Sequence, residues 1–155
     1  MQPIRSRLSF LLLLLACLCA TPAALAEEQQ ADSYEPRTGD AWIDRHLADI
    51  NVYAARYPQS FIDEVARYHA VPRAYVESLL QQPGWQAGDV LMACALAQQL
   101  ALPCRRIVRE WSRDHAQGWA EVAARLQSKP DASDYRALRE DIRQSYSRWA
   151  RPLPK

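Results

Sequence analysis

Glycine is scarce, with four in 155 residues, and no stretch alternates apolar and polar side chains at the period of two that a half-buried strand requires. Both shortages argue against a sheet. The three histidines and four cysteines form no H-E-x-x-H, no His pair four apart and no C-x-x-C. Neither a zinc site, another metal site, a cofactor nor a thioredoxin-like redox centre is therefore expected. After residue 26 no apolar run approaches the roughly 20 residues that a membrane-crossing helix needs. A fixed internal repeat is also absent, which excludes a solenoid.

What is present begins with a leader. Arg5 and Arg7 precede a run from Leu8 to Leu18 that is apolar but for Ser9, and Ala24-Leu25-Ala26 follows Pro22. A basic end, a short apolar core and an A-x-A site predict a secretory signal peptide over residues 1–26, cleaved after Ala26, and hence a periplasmic protein. The competing reading takes Leu14-Leu15-Ala16-Cys17 as a lipobox, with Cys17 acylated and the protein anchored in the outer membrane.

Cleavage leaves 129 of the 155 residues, enough for one domain with a real core. Arg5 and Arg7 depart with the leader, so 17 Lys and Arg face 18 Asp and Glu. Their distribution is uneven: Glu27 to Leu102 carries five basic and eleven acidic residues, Pro103 to Lys155 twelve and seven. Either the two halves pack together and neutralise each other, or the basic half meets an anionic envelope surface. Nucleic acid is a poor partner for an exported chain.

Residues 27–39 are polar, hold Pro36 and show no apolar period, which predicts a disordered tether. Helical spacing then begins. Asp40 reads as an N-cap before Ile43, Leu47, Ile50, Ala54 and Tyr57, and Pro58 ends that helix. Ser60 caps a second, with Phe61, Val65 and Tyr68 inward, and Pro72 starts a third, with Tyr75, Val76, Leu79 and Leu80. Past Pro83-Gly84, Asp89 caps a fourth helix whose Val90, Leu91, Cys94 and Ala97 stripe has alanines on its flanks, the composition of a helix surrounded by others.

Leu102-Pro103 turns into a fifth helix through Cys104, Ile107, Val108 and Trp111 to His115. Gly118 opens a sixth with Trp119, Val122, Ala123 and Leu126. After Lys129-Pro130, Asp131 or Ser133 caps a seventh, along which Tyr135, Leu138, Ile142, Tyr146 and Trp149 recur at helical spacing. Pro152 and Pro154 mark a tail over 152–155. The expected fold is all-α: a single compact orthogonal or irregular bundle of about seven short helices over residues 40–151.

The pattern G-D-V-x3-C-A-x-A, P-C-R-x2-V-x2-W and G-W-x2-V-A-x2-L is carried by Gly88, Asp89, Val90, Cys94, Ala95, Ala97, Pro103, Cys104, Arg105, Val108, Trp111, Gly118, Trp119, Val122, Ala123 and Leu126. It is similar to a group of uncharacterised exported proteobacterial proteins. The likeness implies export and an all-helical fold, and it brings no activity, cofactor or site.

Cys94 and Cys104 lie ten positions apart across a proline turn, so in an oxidising compartment they are expected to join the fourth and fifth helices by a disulfide. Two separate buried thiols are the alternative. His115, at a helix C-terminus beside Asp114, reads as a cap. His46 reads as a surface partner of Asp44 and Asp49. Trp42, just inside a helix start, and Trp85, in the Pro-Gly loop, fit no apolar stripe; with Arg139 and Arg143 of the last helix they are candidate partner contacts.

Glu64, Glu77, Glu110 and Glu121 are the carboxylates to test for peptidoglycan hydrolysis, which needs an acid and a second carboxylate a few ångströms apart. The leading expectation is a non-enzymatic periplasmic protein that binds another envelope component, an envelope protein or an anionic surface. A small envelope hydrolase and a lipoprotein acylated at Cys17 are the alternatives.

Overall fold

The structure, a computed structural model, describes residues 34–126 and 132–154. The signal peptide, Cys17, residues 27–33 of the tether and the caps expected at Asp131 or Ser133 lie outside the described residues or side chains. The described chain forms seven helices and no strand: α1 Ala41–Arg56, α2 Pro58–Tyr68, α3 Arg73–Leu80, α4 Ala87–Gln99, α5 Cys104–Arg113, α6 Trp119–Arg125 and α7 Ala132–Arg148. Among these residues no helix is long and apolar enough to cross a membrane.

Asp40 caps α1 as expected, its carboxylate accepting from the backbone N–H of Trp42 and Ile43 at 3.0 and 3.1 Å. Two other starts differ from their predicted positions. Pro58 both ends α1 and occupies the first turn of α2, because its fixed φ suits a helix start and its missing N–H is not needed there; Ser60 caps nothing. The cap of α4 is Gln86, and Asp89, three residues on, reaches back to the Gln86 N–H to complete a capping box.

Helix α4 is the centre. Every residue from Ala87 to Ala97 is buried, which a helix achieves only when neighbours cover all of its faces. It packs most extensively on α5 and α1 and also meets α2, α3 and α7. Gly88 permits a close approach to α1, since a Cβ there would lie 2.7 Å from the Leu47 carbonyl oxygen. Ala101, with φ +52, and Pro103 reverse the chain into α5, and Cys94 and Cys104 are joined there by a disulfide with Cα atoms 4.6 Å apart. Pairing, rather than two separate thiols, is what the turn produces.

Residues 34–39 correct the expectation of a tether, because they form an ordered strap across α4 and α6. The Pro36 and Arg37 carbonyls accept from the Trp119 and Ala120 N–H groups at 2.8 and 2.9 Å, donors that the start of α6 would otherwise leave unsatisfied. Gly118 makes this possible: its φ is +81, and a Cβ would meet Arg37 Cβ at 2.5 Å. Tyr34 reaches beneath, its hydroxyl donating to Asp89 at 2.9 Å, and the Trp119 indole N–H donates to the same carboxylate oxygen at 2.9 Å. Burial lifts Asp89 above the ordinary carboxylate range against the pull of these donors.

The uneven charge of the two halves resolves partly across their seam. Asp40 pairs with Arg139 at 2.6 Å, Asp49 with Arg151 at 2.6 Å and buried Glu64 with Arg148, whose Nε lies 2.7 Å from it. Each joins a carboxylate of the first half to an arginine in or just beyond α7.

Candidate functional site

Of the four residues proposed for partner contact, the structure gathers three. Trp42 is half-buried on the first turn of α1, and α7 lays two arginines over it: the Arg143 guanidinium carbon is 4.9 Å and that of Arg139 5.8 Å from the ring centroid. These are cation–π distances, at which the ring quadrupole attracts a guanidinium. Asp40 holds Arg139 with one carboxylate oxygen while the other caps α1, so the start of one helix fixes the side chain of another. Arg143 is exposed and its nearest carboxylate is Glu140 at 3.7 Å. Exposed Arg45, three residues after Trp42, adds a cation to the same side of α1.

Beneath this platform lies His46, expected on the surface and found 1% exposed. Its ring stacks on Trp42 with centroids 3.6 Å apart and meets Tyr146 edge-on at 5.6 Å. Nδ1 donates to the Trp42 carbonyl at 2.7 Å, while Nε2 is buried with no partner among the described residues. Burial, reinforced by the nearby charges of Arg45 and Arg143, pushes the imidazole below its ordinary value despite the Trp42 bond. It is a neutral packing element that supports the tryptophan from below.

Trp85, the fourth candidate, is corrected. It is 9% exposed and tilts against Trp111, with centroids 6.3 Å apart; Trp111 in turn stacks on Trp119 at 4.0 Å. The Pro-Gly loop thus folds its tryptophan into the core, where it offers no surface to a partner. His115 stacks on the same Trp111 and its Nδ1 donates to the Trp111 carbonyl at 3.0 Å, the capping role expected of it.

The candidate carboxylates do not assemble as an acid and a base. Glu64 is held by Arg148, Glu77 by Arg73 at 3.1 Å and Glu110 by Arg113 at 2.8 Å, on three different helices, and Glu121 is exposed on a fourth. Around Glu64 the sequence reading missed a buried polar seam. His69 donates from Nδ1 to Gln98 Oε1 at 2.6 Å, its Nε2 lies 3.8 Å from Asp141, and Arg148 lies between Glu64 and the Tyr68 ring, 3.7 Å from its centroid. Tyr68, predicted inward, is 43% exposed, with the Arg148 guanidinium rather than an apolar side chain over its ring.

The chain matches no family model, no curated protein and no solved structure.

Proposed function

We propose that this is an exported helical protein of the periplasm that works by binding, and that the Trp42, Arg139 and Arg143 platform is its contact with an anionic surface of the cell envelope. The observation that carries the reading is the pair of guanidiniums poised over one half-buried indole. Where three other C-terminal arginines or their pairs close the seam between chain halves, Arg143 has only a distant, exposed carboxylate beside it. An exposed pair of that kind contributes little, so the cation is available to a partner. The Trp42 ring adds a flat apolar surface suited to the headgroup level of a bilayer, where tryptophan concentrates.

Export rests on the leader over residues 1–26, on the likeness of the Gly88 to Leu126 pattern to exported proteins, and on the Cys94–Cys104 bond, since oxidised cysteines are kept outside the reducing cytoplasm. Cleavage after Ala26 gives a mature protein beginning at Glu27. Its intact mass, read after periplasmic extraction, checks this, and palmitate labelling lost in Cys17→Ser would replace it with the lipid-anchored form.

The binding reading is tested by sedimentation with vesicles of anionic and of zwitterionic phospholipid at graded salt. An arginine near an anionic leaflet contributes about 1 kcal/mol, so Arg143→Glu, which reverses one charge, weakens partitioning about thirtyfold, and Trp42→Ala weakens it further. Equal partitioning to both vesicles, or an unchanged Arg143→Glu variant, overturns the proposal. Release of soluble peptidoglycan fragments that disappears in Glu64→Gln or Glu110→Gln would put a hydrolase in its place.

A further inference from the structure

A second site lies elsewhere. Where the end of α7 passes α1 and α2 there is an open cavity of about 380 Å³, with Asp63, Glu64, Arg67, Arg148 and the rings of Tyr53, Tyr68 and Trp149 in its wall. That volume falls in the range of small-molecule sites. We propose that it binds a small monocarboxylate with a flat or apolar body.

The chemistry follows from which polar groups in the wall are already committed. Each carboxylate already holds one arginine: Glu64 Oε1 accepts from Arg148, and Asp63 Oδ1 from Arg73 outside the cavity. The donors are not all spent. Arg67 is exposed and makes no hydrogen bond or ion pair among the described residues, and Arg148 spends Nε and Nη2 on Glu64 and Ser145 and keeps Nη1 unused; the Trp149 indole N–H, unpaired but buried beneath the wall, senses packing there without reaching a guest. Two guanidiniums with unspent N–H donors in one wall call for an anion, and they suit the planar fork of a carboxylate.

The same wall sets the charge and the shape of the guest. Glu64 and Asp63 stand close enough to repel a second negative charge, which favours a monoanion over a phosphate dianion. Tyr53 stacks on Trp149, centroids 4.2 Å apart, and Tyr68 lies under Arg148, so flat rings border the cavity and accept an apolar or aromatic body. Arg148 is pre-positioned by Glu64, Ser145 and Tyr68, so little ordering is left for the ligand to bring about. The carboxylate could arrive on a free acid or at the C-terminus of a peptide, and the recognition chemistry is common to both.

The test is titration of the mature protein, followed by the Trp149 indole N–H resonance, with 3-phenylpropionate, with a tetrapeptide ending in phenylalanine, with the amides of both, and with inorganic phosphate. Expected is saturable binding of at least one free carboxylate, about tenfold weaker binding of its amide, and about tenfold weaker binding by Arg67→Gln at an unchanged melting temperature. Binding by 3-phenylpropionate alone identifies a free acid, and binding by the tetrapeptide alone a chain terminus. Equal binding of acid and amide, phosphate binding as tight as either acid, binding unaffected by Arg67→Gln, or no binding of any carboxylate overturns the proposal. Trp42→Ala leaves this titration unchanged, so the two sites stand or fall separately.

Discussion

Reduction of the Cys94–Cys104 bond lowers stability by an amount that the chain itself sets. The bond closes a loop of ten positions, and in the chain-entropy model such a crosslink removes about 9 cal/mol/K from the unfolded ensemble, or about 2.7 kcal/mol at 25 °C. The reduced thiols bring little compensation. Both cysteines are buried, and a buried thiol behaves as a small apolar group, so the native side of the balance is nearly unchanged. The unit Tyr34–Lys155 unfolds with an entropy near 2.1 cal/mol/K per residue, about 250 cal/mol/K in total, so the melting temperature falls by about 10 °C. Calorimetry with and without a phosphine reductant, with alkylation and mass analysis to confirm complete reduction, measures the drop. The Cys94→Ala, Cys104→Ala double variant should melt lower still, because it also loses packed sulfur. A fully reduced protein melting within about 2 °C of the oxidised one refutes the loop-entropy reasoning.

Other perturbations address the polar interior. Asp89→Ala leaves the Tyr34 hydroxyl and the Trp119 indole N–H without their acceptor, a loss of about 3 kcal/mol or more by urea unfolding; a loss below about 1 kcal/mol would mean that water replaces the carboxylate. Gly118→Ala forces a Cβ into the strap at a positive φ, and its expected signature is faster hydrogen exchange of the Trp119 and Ala120 N–H groups that the strap carbonyls hold. Unchanged protection there would show that the strap does not depend on the turn. His46 titrates lower in the folded chain than in the unfolded one, so between its ordinary value of 6.5 and its depressed native value the unfolded state holds more protons. Stability therefore falls on acidification through that window, and His46→Phe should flatten the slope of urea midpoint against pH; an unaltered slope would assign it to other groups.

Much of the architecture was legible because helical punctuation is local. Asp40, Pro58, Pro72, Pro103 and Gly118 each act within a turn of where they stand, and the small and apolar run from Val90 to Ala97 shows the central place of α4 without reference to its neighbours. The cysteine pairing was legible for the same reason, as ten positions and a proline leave few other arrangements. Trp85 was not, because a tryptophan in a Pro-Gly turn has no period to read, and it packs on Trp111 from α5, which Trp119 from α6 backs in turn.

His46 is a different case. It follows Ile43 by three and precedes Ile50 by four, so the buried register was in the sequence, and its polar ring outweighed a pattern that deserved precedence. Tyr34 and Pro36 gave no warning, since a single extended strap lacks amphipathic rhythm and its value comes entirely from donors on α6 and a carboxylate on α4. The same holds for the Glu64, Arg148 and Tyr68 arrangement, whose members lie up to 84 positions apart.

The strap and α1 are stitched to α7 and the residues just beyond it by Tyr135 to the Thr38 carbonyl, Arg139 to Asp40 and Arg151 to Asp49, links that span 97, 99 and 102 positions. These links close the fold between distant parts of the chain, and distant pairings slow the final steps of folding. A chain delivered amino end first cannot complete itself until nearly all of it has emerged. The early helices wait for their carboxy-proximal partners, so a chain cut before Tyr135 would lack all three links.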